Sequence, residues 1–395
     1  MTDAFDFIVV GAGSGGCAVA GRLSEDAGTT VALLDAGGTC DNWVVTTPGA
    51  LVLMVAGKVN NWAFETLPQK GLNGRIGYQP RGKGLGGSSA INAMVYIRGH
   101  RADYDHWASL GNTGWSFADV LPYFKRSEDN TDFDGAYHGK AGPLRVSKLR
   151  TDNPVQRIFL TAAQEAQFRV REDFNAEEQE GLGIYQVTQH NGERWSAARA
   201  YVHPHMDKRS NLRVETQAHA TRILFESKRA VGVQYRQGNE TKRLRARREV
   251  LLAAGAFQSP QLLILSGVGD GEALANHGIA SLHHLPGVGQ NLQDHPDFIF
   301  TYLSDAPYFT GLSFSGIVHQ LRAISQYRRE RRGPMTSNFA ECGGFLKSHP
   351  DLDIPDIQLH FGMAMVNDQA ASVAGDAASH AMSACSGRKA EATWR

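Results

Sequence analysis

The chain opens on apolar runs separated by a glycine-rich turn. Residues 5–10 (FDFIVV) are apolar and rich in β-forming types, and GAGSGG follows them at once. Apolar residues then recur at helical spacing over 17–24, and residues 31–35 (VALLD) form a second apolar run. This order predicts a strand–helix–strand unit with parallel strands and a right-handed crossover.

Farther along the chain, apolar spacing and turn residues predict the other elements. Residues 40–80 are irregular and rich in Gly, Pro and Asn, which predicts a long loop across a surface. The remaining patterns predict helices over 102–125, 155–167 and 317–331, and a further helix that begins at Ser259 with Pro260 in its first turn. They also predict strands within 211–226, 230–237, 249–256 and 356–366. We find no fixed-period repeat.

Glycine is the residue whose abundance changes this picture. It supplies 43 of 395 residues, about 11 per cent against a usual ~7 per cent. The glycines cluster in GAGSGG, GKGLGGSS and LSGVG, which indicates backbone that lies close to another group. Forty basic residues balance forty acidic ones, so the charge gives no electrostatic case for nucleic acid as a partner.

The N-terminus and the cysteines predict a cytoplasmic protein. The first ten residues carry Asp3 and Asp6 where a secretory signal needs positive charge, and no apolar run approaches the ~18 residues of a membrane span. The four cysteines are scattered with no C-x-x-C pair, which fits a reducing compartment and small core residues better than a zinc cluster.

The first glycine cluster is a dinucleotide fingerprint in its expected context. Gly11-x-Gly13-x-x-Gly16 follows a predicted strand and opens a predicted helix. The first glycine allows the tight turn, the second lets the backbone approach a pyrophosphate, and the third lets helix and strand pack closely. Asp35 ends the second strand, where an acid binds ribose hydroxyls, so the unit predicts a site for an ADP moiety of NAD or FAD.

Two further glycine-rich stretches carry additional information. Residues 81–99 (RGKGLGGSSAINAMVYIRG) offer unhindered amides and hydroxyls to an anionic or polar ring edge, and no Gly-Lys-Ser/Thr ends the run as in a P-loop. Residues 255–269 (GAFQSPQLLILSGVG) join a predicted strand to a predicted helix.

These stretches resemble a known family. Residues 82–105 and 255–269 look like the two signatures of the glucose–methanol–choline (GMC) oxidoreductases, and 191–204 and 286–296 are also similar to that family. The similarity runs from residue 5 to about 368 and is closest to the choline and aliphatic alcohol dehydrogenases. The resemblance implies an α/β fold whose Rossmann-like FAD-binding domain (1–105 and 195–296) is interleaved with an α+β substrate-binding domain (106–194 and 297–368), a GMC fold that is incomplete at its C-terminus.

The resemblance also implies FAD as the cofactor and a set of residues that bind it. These are Gly11, Gly13, Ser14, Gly16, Asp35 and Ala36 for the ADP half, Gly86, Gly87, Ser88, Asn92, Ala93, Met94 and Val95 for the flavin ring, and Ala220 for the adenine. Some relatives attach FAD through a histidine of the first signature. Ile91 stands at that position, which implies non-covalent FAD.

The activity implied by the resemblance is hydride transfer from an alcohol carbon to the flavin while a general base removes the hydroxyl proton. The family's base is a histidine near the C-terminus, paired with His or Asn, and we find no counterpart. We therefore assign no catalytic residue and expect little turnover. The histidines nearest in sequence are expected to be surface or structural residues: His203, His205, His283, His284 and His295.

The last 27 residues, 369–395, contain nine Ala and no Leu, Ile or Phe. Such a segment buries too little apolar surface to offset its ordering entropy, which predicts disorder. A back-translation of 380–394 read two bases later includes LLRPKSRG, which resembles the family at this point. We therefore expect a frameshift near Gln369 that leaves the protein C-terminally truncated, and sequencing of the gene tests this.

The expected partners are a small alcohol and a quinone or other electron acceptor, with the oligomeric state left open. The basic run 242–248 is expected to be a solvated hairpin edge. The run 327–332 is expected to be a solvated helix face, with peripheral contact at the inner membrane as the alternative. The other functions considered are a non-catalytic flavin-binding remnant or pseudogene product and, less consistent with the motifs, another two-domain flavoenzyme.

Overall fold

Two six-stranded sheets form the framework of the described part of the protein in this computed structural model. The structure describes residues 3–295, 297–303, 314–362, 366–367, 372–373, 379–386 and 390–392. The strands of the two sheets, in chain order, are β1 (Asp3–Val10), β2 (Val31–Leu34), β3 (Val170–Arg171), β4 (Gly181–Ile184), β5 (Leu212–Glu215), β6 (Ala218–Glu226), β7 (Arg229–Gln237), β8 (Glu240–Leu252), β9 (Asp297–Leu303), β10 (Ala340–Leu346), β11 (Ile357–Gly362) and β12 (Ser379–Ser386).

The first sheet has the order β5-β2-β1-β8-β7-β6. Its first four strands are parallel, and β8, β7 and β6 follow as an antiparallel meander. All four residues of β2 are buried, as expected for a parallel strand that is covered on both faces. The predicted strand–helix–strand unit and its parallel pairing are confirmed.

The second sheet has the order β9-β12-β11-β10-β4-β3 and is antiparallel apart from the β3–β4 pair. Strand β12 lies between β9 and β11, although residues 379–386 belong to the segment predicted to be disordered. An antiparallel ladder is made by backbone groups, so a run of small residues can join it without contributing apolar burial. Residues 369–371, 374–378, 387–389 and 393–395 lie outside the described part, and the division into two domains stays a prediction.

In the described part of the chain, ten α-helices accompany the sheets: α1 (Ser14–Leu23), α2 (Trp43–Thr46), α3 (Leu51–Val55), α4 (Arg101–Ser109), α5 (Phe117–Ser127), α6 (Pro154–Glu165), α7 (Ala197–Tyr201), α8 (Gly255–Leu265), α9 (Gly271–Asn276) and α10 (Phe314–Glu330). Short two-stranded ladders pair 64–65 with 78–79, 128–130 with 144–146, 189–190 with 193–194, 268–269 with 283–284, 292–294 with 390–392, and 366–367 with 372–373.

Three predicted elements differ from the structure. The helix predicted over 102–125 is two helices, because Gly111 and Gly114 adopt left-handed φ and a capping box of Ser116 and Asp119 starts the second. Helix α8 begins four residues before Ser259, so Pro260 lies inside it and not in its first turn. The predicted loop 40–80 also contains α2, α3 and a short hairpin.

The basic run 242–248 lies in β8, which forms a hairpin with β7 and is internal to the sheet. Leu244 and Ala246 are buried on one face, and Arg243, Arg245 and Arg247 alternate with them on the exposed face. The arginines are therefore solvated, as predicted, while the strand pairs on both sides with β1 and β7.

A buried ionic cluster joins residues 98, 128, 138 and 173. Glu128 is fully buried and accepts from Arg98 Nη2 at 2.8 Å and pairs with His138 Nδ1 at 3.1 Å. The second ring nitrogen of His138 lies 2.8 Å from Asp173 Oδ2. Burial alone lowers the pKa of His138, but the hydrogen bonds to Asp173 and Glu128 outweigh it and raise the pKa to about 9.

This cluster predicts a loss of stability at alkaline pH. A histidine whose pKa is raised on folding stabilises the folded state fully below its unfolded pKa of about 6.5, and the contribution disappears as pH rises through about 9. We expect the free energy of unfolding, measured by urea titration, to fall by on the order of 3 kcal/mol across this range. His138→Gln should remove most of this slope, whereas His277→Gln, at the exposed end of α9, should leave it unchanged. Parallel slopes in all three proteins would contradict the assignment.

Candidate functional site

The glycine turn after β1 is held against the end of β8. Gly11 adopts φ +95°, and a Cβ there would lie 2.6 Å from the Ala253 carbonyl oxygen. A Cβ on Gly16 would lie 1.9 Å from the Gly11 carbonyl oxygen, so α1 packs directly on the turn. Gly13 precedes α1 and makes no side-chain cap, which leaves the first amides of the helix available to an anionic ligand.

Asp35 fixes the same turn from the end of β2. Its Oδ2 accepts from the Ala12 amide at 2.9 Å, and its Oδ1 accepts from the Gly37 amide at 2.8 Å. Burial raises the pKa of this carboxyl, while the backbone hydrogen bonds from Gly37 and Ala12 oppose that rise. A carboxylate has about four acceptor positions, so this one is able to accept from a ligand hydroxyl as well.

A cavity of about 640 Å³ lies over the turn, within the range of cofactor sites. The structure places eight of the predicted site residues on its wall: Gly11, Gly13, Ser14, Asp35, Ala36, Gly87, Ser88 and Ala220. The remaining wall comes largely from the start of α8 and from 218–221 of β6. Gly16 and Gly86 are buried behind this wall and do not line it.

The predicted flavin-ring residues Asn92, Ala93, Met94 and Val95 are also absent from this wall. They continue from its edge, since the Asn92 amide donates to the Ser88 carbonyl oxygen at 2.9 Å and Asn92 is an exposed residue. Met94 adopts left-handed φ of +58°, which turns the chain sharply at this point. Ile91 is buried in an apolar cluster with Met54 and offers no atom for a covalent link.

Four aromatic wall residues were not predicted. Trp62 stacks with Phe64 and meets the edge of His219, and Phe64 meets the edge of Phe257. Two cations cover this group, with the Lys83 Nζ 4.4 Å from the Trp62 ring and the Arg81 guanidinium 4.7 Å from the Phe257 ring. The available signal was the pair Trp62-x-Phe64 in an otherwise polar segment, but nothing in the spacing connects it with residues 219 and 257.

None of the five histidines singled out in the sequence lines the cavity. His203 Nε2 lies 3.0 Å from the Thr39 carbonyl oxygen, and His284 Nδ1 accepts from the Gly271 amide at 3.0 Å. His283 and His295 are exposed on the surface. These contacts agree with structural or surface roles. His219 does line the cavity, beside Ala220, and burial lowers the pKa of its imidazole.

Comparison of the sequence with known proteins identifies one family. The GMC oxidoreductase N-terminal family matches residues 5–297. The chain is 46% identical over 373 residues to "Alcohol dehydrogenase [acceptor]" of Pseudomonas putida, covering 94% of this chain and 67% of that protein. It is 42% identical to the mitochondrial choline dehydrogenase of Homo sapiens, covering 93% of this chain and 62% of that protein.

The fold has solved counterparts as well. The crystal structure of a formate oxidase superposes with a TM-score of 0.88 at 26% identity and covers 98% of this chain and 73% of that one. The chain spans about two thirds of the length of the two curated relatives named above. FAD is the cofactor of the flavoproteins in this family. From the match over residues 5–297 and the relatives above 40% identity, we conclude that the chain belongs to the GMC oxidoreductase family.

Proposed function

We propose that the chain binds FAD in the cavity over the glycine turn and serves the oxidation of the CH–OH group of an alcohol. The observation that carries this proposal is the meeting of three features in one cavity: the Gly11–Gly16 turn, the first amides of α1, and Asp35. Each alone is a common structural device, but together they match the pyrophosphate and ribose of one ligand.

In this proposal, different residues of the chain bind different parts of the cofactor. The amides at Gly13 and Ser14 receive the pyrophosphate, Asp35 accepts from the ribose, and the Ala220 backbone lies at the adenine. Ser88 and the backbone of Asn92–Val95 hold the ring. Bound FAD would accept a hydride from the alcohol carbon. The contact is non-covalent in this proposal, since Ile91 is a hydrocarbon.

The relatives support an alcohol as the substrate class, and we propose choline or an aliphatic alcohol with a quinone or another electron acceptor. No helix in the described part of the chain is long and apolar enough to cross a bilayer. In the run 327–332, Arg331 pairs with Glu193 and Arg332 with Asp152, which favours a solvated role over peripheral membrane contact. The cytoplasmic location stays part of the proposal.

The test is spectroscopic first and catalytic second. The purified chain should carry flavin absorbance, and acid should release the flavin into the supernatant. A colourless protein that takes up no added FAD would contradict the proposal. Dye reduction with choline and with aliphatic alcohols then measures turnover, which we expect to be small because no general base is assigned and such a base is worth about 10²–10⁴-fold. A yellow protein with no turnover on any alcohol would favour the non-catalytic flavin-binding remnant.

The aromatic wall gives a further prediction. Trp62→Ala removes the ring that contacts Phe64, His219 and Lys83 on the cavity wall. Loss of an aromatic contact surface of this kind is worth about 1–2 kcal/mol, so we expect the FAD dissociation constant to rise about tenfold. Trp115→Ala, at a half-exposed tryptophan next to α5, is the control and should bind FAD like the parent. Equal FAD affinities for the parent, Trp62→Ala and Trp115→Ala proteins would show that Trp62 does not contribute to binding of the cofactor.

A further inference from the structure

Donor groups in the protein interior form hydrogen bonds with the carbonyl groups of the Asn92–Met94 loop. Arg194 Nη1 donates to the Asn92 carbonyl oxygen at 2.7 Å, and Asn338 Nδ2 donates to that of Ala93 at 2.9 Å. The Thr188 amide donates to the Met94 carbonyl oxygen at 2.8 Å. Three consecutive carbonyl groups are therefore all directed toward the protein interior.

This arrangement leaves the amides of the loop on the other side. Val95 faces Val187 as an isolated antiparallel bridge, with hydrogen bonds from the Tyr96 amide to Gln186 and from the Thr188 amide to Met94. In this pattern the N–H of Val95 points away from the facing strand. Neither the Ala93 nor the Val95 amide has a hydrogen-bond partner among the residues that the structure describes. The loop thus offers two N–H donors to a ligand.

Arg194 adds a charge behind these donors. Its side chain is 1% exposed, donates also to the Val45 and Ser89 carbonyl oxygens, and forms no ion pair within the described part of the chain. Its Nη2 and the Asn338 Oδ1 are buried polar atoms that lack any partner there. Burial lowers the pKa of Arg194 to about 9, so the group remains a cation at neutral pH.

We propose that Arg194 and Asn338 are positioning residues for the flavin ring: they fix the orientation of the 92–94 peptides, and the Arg194 charge stabilises the ring when it gains negative charge on reduction. The inference rests on the proposed function, because it requires that the ring lies against Asn92–Val95. Neither residue belongs to the FAD-binding residues predicted from the sequence.

The physical reason is that an unpaired cation in a buried site is screened weakly. Its field acts on a neighbouring group far more strongly than a solvated charge would. Reduction of the ring increases its negative charge, so the cation favours the reduced state and raises the midpoint potential. The hydrogen bonds from Arg194 and Asn338 contribute separately, because free peptides would otherwise rotate their carbonyl groups toward the ligand.

The test uses variants that separate charge from hydrogen bonding. Arg194→Met removes the charge, Arg194→Lys keeps it with fewer donors, and Asn338→Ser removes the amide that holds Ala93. Matched controls lie at the far end of α1. Arg209 donates there to the Gly21 carbonyl oxygen at 2.7 Å, and the Asn211 side-chain amide donates to three carbonyl oxygens. Arg209→Met and Asn211→Ser therefore remove the same chemistry away from the cavity.

The readouts are the FAD dissociation constant, the midpoint potential of the bound flavin and the urea midpoint. We expect Arg194→Met to lower the potential, Arg194→Lys to restore it toward the parent value, and Asn338→Ser to raise the dissociation constant about tenfold. The controls should lower the urea midpoint alone. If Arg194→Met does not fold, the dissociation constants of Arg194→Lys and Asn338→Ser decide.

Two outcomes would contradict this inference, and they can be told apart. A parent chain that binds no FAD overturns the proposed function and this inference with it. A parent chain that binds FAD, with variants whose affinity and potential match those of the controls, overturns this inference alone.

Discussion

Gly16→Ala is expected to unfold the turn that carries the cofactor site. The new methyl group would lie 1.9 Å from the Gly11 carbonyl oxygen and 3.1 Å from the Ala253 side chain. Backbone atoms cannot yield as the end of a flexible side chain does, so α1 must move away from β1 and β8. Overpacking of this kind costs about 1–3 kcal/mol or more, and the displaced helix would no longer direct its first amides into the cavity. Urea unfolding and FAD titration should both show the loss.

Gly15→Ala is the matched control in the same helix. Gly15 is exposed, and a Cβ there meets nothing within 4 Å. Alanine is the better helix former, so this variant should be more stable by about 0.5–1 kcal/mol. A Gly16→Ala protein as stable as Gly15→Ala, with the parent's affinity for FAD, would show that the close approach is not required.

Asp35→Asn is expected to give the largest loss of FAD affinity among variants that fold. The carboxylate accepts from the Ala12 and Gly37 amides, and an amide side chain can satisfy only one of them while its own donors face the other. It also loses a charged acceptor for the ribose, and hydrogen bonds to charged groups contribute about 1.5–3 kcal/mol each. We expect the dissociation constant to rise about 100-fold, measured by titration of the cofactor-free protein.

Asp6→Asn separates affinity from stability. Asp6 Oδ2 accepts from the Thr30 amide at 2.9 Å and the Thr30 hydroxyl at 2.8 Å, in the middle of β1 and four residues before Val10 on the cavity wall. This variant loses a similar carboxylate contact and should bind FAD like the parent. If Asp35→Asn and Asp6→Asn bound FAD equally well, Asp35 would have only a structural role.

The local parts of the site could be predicted from the sequence because their determinants lie within a few residues of one another. The strand–turn–helix over β1 and α1 depends on glycines at fixed spacing, and Asp35 depends on where β2 ends. The helix predicted over 102–125 was wrong for a related reason: its apolar spacing continues through Gly111 and Gly114, but left-handed φ at those two glycines interrupts the helix. The start of α8 was also predicted wrongly, because Pro260, a residue typical of a first turn, lies inside that helix.

The residues that complete the site come from distant segments. Trp62 and Phe257 are 195 positions apart, yet both line one cavity. Arg194 and Asn338 reach adjacent carbonyl groups of one loop from segments 144 positions apart. Each of these residues alone has an ordinary structural explanation, and no spacing rule joins them.

The sequence by itself determined the parallel strand–helix–strand unit and the glycine turn with its acid, because hydrophobic periodicity and glycine geometry act locally, while the fold class followed from the family resemblance. Only the tertiary structure decided which side chains line the cavity, that Arg194, which has no ion pair among the described residues, lies behind the 92–94 loop, and that β12 joins the second sheet. The physical reason is that burial, buried charge and strand pairing depend on contacts between residues far apart in the chain, and these contacts exist only once the chain has folded.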